Sequence, residues 1–145
     1  MTNQFMQLAV RQAELAKLNH EVPVGAVLVY QDEVIAEGHN LVIEKNNPLM
    51  HAEVVVILKG LEVLGTTYLE HCSLYVTKEP CIMCFGAIVN ARIKDVYFGA
   101  YDLKYGAMDY VLRLIHNKKI NHYPNIFGGM MEVRCKSLLE EFFRC

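Results

Sequence analysis

An α/β fold is what this sequence predicts, and three observations carry the prediction. Apolar residues fill 53% of 145 positions and charged residues 21%, which is enough to bury a core in a single domain spanning residues 1–145. Residues 24–30 form a nearly unbroken apolar run, the pattern of a strand buried on both faces. Two strand–helix–strand units then follow in succession between residues 34 and 99, which implies parallel pairing with helices covering the sheet.

The elements follow in order. Residues 3–18 carry Phe5, Leu8, Ala9, Ala13, Leu15 and Ala16 at the period of an amphipathic helix. Pro23 leads into the strand 24–30, Gln31-Asp32-Glu33 makes a turn, and residues 34–39 return as the hairpin partner. Residues 40–50, with Asn46-Asn47-Pro48, form a loop. Val54-Val55-Val56-Ile57-Leu58 is strand-like by propensity alone. The apolar pattern nevertheless runs on through Leu61 and Leu64 to a Gly65 stop, so a helix buried on most sides is expected. A strand at 73–77, a helix at 81–91 and a strand at 95–99 come next. A loop at 101–107, a helix at 109–116, a short extended piece at 123–127 and a helix at 130–143 finish the chain. No repeat, low-complexity tract or linker interrupts this order.

Composition removes some function classes. No 18-residue apolar run is present, so no membrane-spanning helix is expected. The N-terminus has no basic leader ahead of an apolar block, so a cytoplasmic location is expected. The net charge of −2 does not suit a generic, strongly basic nucleic-acid binder. The charge is uneven, however. Residues 1–90 hold ten acids against five bases, whereas residues 91–119 hold six bases (Arg92, Lys94, Lys104, Arg113, Lys118, Lys119) against three acids. Such a segment suits a phosphate backbone as well as an ordinary solvated face. Five cysteines without a secretory leader fit a reducing compartment, where thiols bind metal or pack. Cys72, Cys135 and Cys145 are scattered and read as small packing residues.

The chemistry lies in two short motifs at expected helix starts, His51-Ala52-Glu53 and Pro80-Cys81-Ile82-Met83-Cys84. Residues three apart share a helix face, so the Cys81 and Cys84 sulfurs can reach one ion, and the helix N-terminus favours their thiolate forms. Pro80, with its fixed φ, sets where that helix begins. Two thiolates with the neutral ring of His51 balance a zinc ion, and three protein ligands leave the fourth position open, as in a catalytic site. Glu53 is the candidate for moving protons between an activated water and the substrate. Residues i and i+2 diverge on an ideal helix, so this role requires His51 to stand at the helix boundary, outside regular geometry. A lone CxxC also fits a redox pair or half of a closed structural zinc site. A redox pair needs no HxE partner, whereas a structural site needs a fourth ligand, and counting alone leaves His71 and Cys72 available.

These motifs sit in a chain that resembles the bacterial tRNA-specific adenosine deaminases of the zinc-dependent cytidine deaminase-like superfamily. The zinc motifs identify the superfamily. Glu21-Val22-Pro23-Val24-Gly25-Ala26, Gly38-His39-Asn40, the Asn47-to-Glu53 stretch, the Leu74-to-Cys81 stretch, Phe98-Gly99-Ala100, Asn121-His122 and the closing Glu141-Phe142-Phe143-Arg144 carry it over nearly the whole chain, with the EVPVGAV opening and the FF ending pointing to the tRNA branch. The resemblance implies a three-layer α/β/α cytidine deaminase-like fold around a five-stranded mixed sheet. It implies one Zn²⁺ per chain on His51, Cys81 and Cys84, and Glu53 as proton shuttle. It places Asn40 on the flipped nucleoside, with Val22, Ala52 and Glu79 near the base, and Asp102, Lys104, Phe142 and Phe143 on the anticodon stem-loop. It also implies a homodimer that hydrolyses adenosine to inosine at the anticodon wobble position. Met50, Phe85 and Tyr101 depart from the family pattern, as does the absence of a basic tail after Arg144, and fewer phosphate contacts are expected in consequence. Two other readings use the same residues: a deaminase of a free base or nucleoside such as guanine or cytosine, and a non-catalytic partner subunit stabilised by zinc. A riboflavin-biosynthesis deaminase domain fits less well, because its cysteines are more widely spaced. Glu53 argues against the non-catalytic reading, since a purely structural site has no use for an acid–base.

Overall fold

The computed structural model describes residues 2–144, so Cys145 lies outside the described residues. Its elements are α1 (Thr2–Leu18), β1 (Gly25–Tyr30), β2 (Glu33–His39), α2 (Ala52–Leu64), β3 (Cys72–Lys78), α3 (Ile82–Ala91), β4 (Asp95–Ala100), α4 (Met108–His116), β5 (Asn125–Phe127) and α5 (Glu132–Arg144). They form a five-stranded sheet in the order β2-β1-β3-β4-β5. β1 pairs antiparallel with both β2 and β3, while β3, β4 and β5 pair parallel, so the sheet is mixed.

The expected parallel pairing holds between β3 and β4 and needs correction for the first strand–helix–strand unit. β2 and β3 run in the same direction, but β1 lies between them and pairs with both. Burial explains the order. β1 is apolar and buried along nearly its whole length, so it takes an interior position, whereas β2 exposes Glu33 and Glu37 and suits the edge.

Helices cover both faces. α2, α3 and α4 bring Val56, Phe85, Ile88 and Val111 onto Leu28, Leu74, Val96 and Phe98. On the other face α1 and α5 bring Met6, Ala9, Ala13, Cys135 and Leu138 onto Val27, Val29 and Tyr75. The small residues of α1 let it sit directly on β1: a Cβ at Gly25 would collide with the Ala9 carbonyl oxygen and the Ala13 nitrogen. The buried thiols of Cys72 and Cys135 serve this packing, and desolvation pushes both up to about 11.

The β-branched run at residues 54–58 is helical. Packing outweighs its strand propensity, with Val55, Val56 and Ile57 buried and Gly60 offering no Cβ to the Leu28 side chain against it. Gly65, at φ 62°, ends the helix with its N–H on the Leu61 carbonyl. This architecture gathers the carboxyl ends of β2, β3 and β4, the start of β1 and the N-termini of α2 and α3 at one end of the sheet.

Candidate active site

His51 and Cys81 hold equivalent positions, each the residue preceding the first turn of a helix. His51 (φ −69°, ψ 155°) precedes α2 and Cys81 (φ −75°, ψ 175°) precedes α3. In this extended backbone neither side chain caps its own helix. Cys84 lies one turn into α3 and is fully buried. The Cys81 and Cys84 sulfurs each stand 3.6 Å from His51 Nδ1. A tetrahedral zinc with metal–sulfur bonds of about 2.3 Å and metal–nitrogen bonds of about 2.0–2.1 Å separates its nitrogen and sulfur ligands by about 3.6 Å. The three ligand atoms lie within 4.8 Å of one another, so spacing and donor set both fit one zinc ion with an open fourth position. His71 and Cys72 lie at the opposite end of β3 from Lys78 and cannot complete a fourth bond, since seven strand residues span about 20 Å.

The electrostatics of the cluster suit a cation. A hydrogen bond from Cys84 and the neighbouring His51 ring hold the Cys81 thiol well below its usual range, against the opposing effect of burial. Donating to Cys81, together with burial and the Glu53 charge, holds the Cys84 thiol up. His51 is raised by its hydrogen bond with Cys81, again against burial. A divalent ion reverses the balance for the buried thiol by stabilising both thiolates.

Glu53 occupies the second position of α2 and is only 4% exposed. Because His51 stands outside the helix, the two side chains face the same pocket despite their spacing. Burial raises the Glu53 carboxyl above the usual carboxylate range, and its own backbone N–H only partly offsets this. A group poised in this way can hold a proton and release it to a nearby acceptor.

The pocket has a volume of about 800 Å³. Val22, Asn40, Glu79, Asp102, Lys104 and Phe143 line it together with His51, Glu53 and Cys81. Ala52 is fully buried behind the wall and donates its N–H to Asn40 Oδ1 at 2.8 Å. Phe142 is half-buried, sits edge-on to Phe143 at 5.2 Å between ring centroids, and lies off the lining. Of the six bases in residues 91–119, only Lys104 lines this pocket. Lys118 and Lys119 border a groove between α3 and α4, and Arg92 and Lys94 border a third cavity, so the fold disperses the basic segment.

Several residues of the site escaped sequence reasoning. Lys78 pairs with Asp102 at 2.7 Å on the pocket wall, and Lys136, Leu139 and Glu140 reach the wall from α5. Glu21 is 1% exposed, and its carboxylate accepts the Ile43 N–H at 3.0 Å and the Glu44 N–H at 2.9 Å. It thereby pins the 40–50 loop, whose ends carry Asn40 and His51. The only signal for these residues was that Glu21 and Lys78 lie inside stretches carrying the family likeness.

The cytidine and deoxycytidylate deaminase zinc-binding region matches residues 1–100. A tRNA-specific adenosine deaminase of Bacillus subtilis is 41% identical over 140 residues, covering 97% of this chain and 87% of that protein. A solved structure from work on A-to-I editing by tRNA A34 deaminases superimposes with a TM-score of 0.89 at 41% identity, covering 94% of this chain and 99% of the other. Guanine deaminase of Bacillus subtilis superimposes with a TM-score of 0.65 at 38% identity, covering 76% of this chain and 73% of that one.

Proposed function

From the premise that the chain belongs to the zinc-dependent cytidine and deoxycytidylate deaminase family, within its tRNA-specific adenosine deaminase branch, we propose that it hydrolyses adenosine to inosine at the wobble position of a tRNA anticodon. Residues 1–145 act as one catalytic unit. One observation carries the chemistry: the buried Glu53 carboxyl shares a pocket with the His51 and Cys81 side chains, and Cys84 completes the ligand set behind them.

Zinc, when bound by His51, Cys81 and Cys84, acidifies water to a pKa of about 7 in favourable sites, so that a nucleophile exists at neutral pH. Glu53 takes a proton from the attacking water and delivers it to the ring nitrogen beside C6. It then takes the proton of the new C6 hydroxyl and passes it to the amine, which leaves as ammonia as the C6 carbonyl forms. Its burial keeps the carboxyl dry, which favours the neutral form needed at the delivery step. Asn40 directs its amide N–H₂ to the nucleoside, its oxygen being engaged by Ala52. Val22 forms an apolar wall for the base, with Ala52 behind it, while Glu79 lines the pocket where the 101–107 loop meets it. Asp102 orders the mouth loop, while Lys104 and Phe143 offer a charge and a ring face to the anticodon loop, and Phe142 supports Phe143. An extruded base in a single-stranded loop enters such a pocket at low unstacking cost.

The assembly is a homodimer in the cytoplasm. The groove between α3 and α4, lined by Ile82, Phe85, Val89 and Leu114 beside the ligand Cys81, supports pairing with a second copy. No helix among the described residues is long and apolar enough to cross a membrane. The likeness to guanine deaminase makes a free base the competing substrate. Comparing deamination of an adenosine-bearing anticodon stem-loop with that of free adenosine, cytosine and guanine tests the proposal. The stem-loop is turned over far faster; efficient turnover of a free base without stem-loop preference overturns it.

A further inference from the structure

Glu79 immediately precedes Pro80 and Cys81, and its side chain is 5% exposed. Its Oε1 accepts the Asp102 N–H at 3.1 Å and its Oε2 accepts the Met108 N–H at 3.0 Å. One carboxylate thus holds both ends of the 101–107 loop. Met108 is the first residue of α4, and Ala107 before it has no side chain able to cap the helix, so Glu79 satisfies that N-terminal donor from another element. The sequence accommodates the carboxylate with Gly106, where a Cβ would collide with Glu79 Oε2 and Cδ. Neighbouring bonds reinforce the seam. The Glu79 N–H donates to the Ala100 carbonyl at 2.8 Å, and the Ala107 N–H donates to the Pro80 carbonyl at 3.1 Å. Asp102 Oδ1 in turn accepts the Lys104 and Tyr105 N–H groups, each at 3.0 Å. The loop fixed in this way carries Leu103, Lys104 and Tyr105, all exposed, at the mouth of the pocket.

We propose that Glu79 is a positioning residue rather than a contact to the base: by bridging the Asp102 and Met108 N–H groups it sets the 101–107 loop, and with it Lys104, at a fixed reach from the ligand Cys81. The proposal takes its substrate from the reading above. A loop ordered before binding does not have to be ordered by the RNA, so the clamp acts on affinity for an extended substrate more than on the chemical step.

Glu79→Gln keeps the side chain's size and one acceptor, but turns an N–H₂ group toward one of the two backbone donors. The expected result is a KM for the stem-loop raised about tenfold with kcat within about twofold, one zinc per chain retained, and faster amide hydrogen exchange confined to residues 102–108. Gly106→Ala, which displaces the carboxylate without altering it, reproduces the same KM shift and the same local exchange. A Gln variant whose kcat collapses at unchanged KM places Glu79 at the reacting base and overturns the proposal. Unchanged exchange at 102–108, or faster exchange over the whole chain with both kinetic constants intact, also overturns it. Should the wild-type protein fail to deaminate the stem-loop, the substrate reading falls, and the exchange comparison still decides the clamp.

Discussion

Asn40 Oδ1 accepts the Ala52 N–H at 2.8 Å and so caps α2 in place of His51. His51 occupies the position where Ser, Thr, Asp or Asn ordinarily supplies that oxygen, but its ring is turned to the two cysteine sulfurs. The helix start is therefore satisfied from the end of β2, and Asn40 is tied in turn to the pocket wall by its own N–H on the Val24 carbonyl at 3.1 Å. One amide side chain thus caps the helix and, in the proposed function, also binds the nucleoside.

The two roles separate by substitution. Asn40→Asp keeps the oxygen that caps α2 but loses the N–H₂ group, so stability is retained within about 0.5 kcal/mol while kcat/KM falls at least about tenfold. Asn40→Ala loses both and costs about 1–2 kcal/mol of stability besides. Chemical denaturation alongside steady-state kinetics checks both; an Asp variant with unimpaired kcat/KM removes Asn40 from substrate binding.

Metal binding and proton transfer separate as well. Glu53→Gln leaves the ligands in place, so elemental analysis still finds one zinc per chain while turnover falls about 10²–10⁴-fold. Cys84→Ala loses the zinc and destabilises the fold, because the ion joins the starts of α2 and α3. Near-normal turnover by the Gln variant, or activity in metal-free protein, contradicts the mechanism.

What the sequence made legible was short in range. Cys81 and Cys84 are three apart, His51 and Glu53 two apart, and each pair needed only a helix start to be placed. β1 announced its interior position by its apolar run. The β-branched stretch of α2 was readable because Leu61, Leu64 and Gly65 extend the pattern beyond strand length. The supporting contacts were not legible, because their partners are distant in the chain. Glu21 reaches over 22 residues to Ile43, Glu79 over 29 to Met108, and Lys78 over 24 to Asp102. Neighbouring helix residues differ by about 100° in direction, and sequence alone cannot say that Phe143 rather than Phe142 faces the pocket. The basic segment 91–119 likewise looked continuous until β4 and α4 carried its charges to three different surfaces.

Acid acts on the mouth loop through Asp102. Burial raises its carboxyl, but the Lys78 hydrogen bond and charge, with the Tyr105 and Lys104 N–H groups, outweigh that and hold it below the usual carboxylate range. A depressed folded-state pKa contributes stability that is present above the unfolded value and is lost as pH falls through the folded one. Asp102→Asn is therefore less stable than the parent at pH 5–7 by a constant margin, and the margin closes below about pH 3.8. Urea denaturation of both proteins at stepped pH measures it; a margin that persists at low pH assigns the loss to something other than the ion pair.

Lys104 is the one base of residues 91–119 on the pocket lining, and its ammonium lies 5.2 Å from the centroid of the Tyr105 ring in the same loop. A phosphate contact there contributes through counterion release, so stem-loop affinity falls with rising salt. Lys104→Ala is expected to weaken stem-loop binding, with zinc content unchanged and kcat little affected. For one lost contact, the slope of log affinity against log salt becomes shallower by about 0.7 on a single-stranded loop and about 0.9 on duplex. Lys118→Ala, at the separate groove between α3 and α4, serves as the control and leaves the slope as it was. Binding measured by fluorescence anisotropy between about 50 and 200 mM salt covers the range in which such contacts are lost. Equal slopes for the parent and the Lys104 variant would show that this side chain touches no phosphate, and the loop would then act on the substrate through Leu103 and Tyr105 alone.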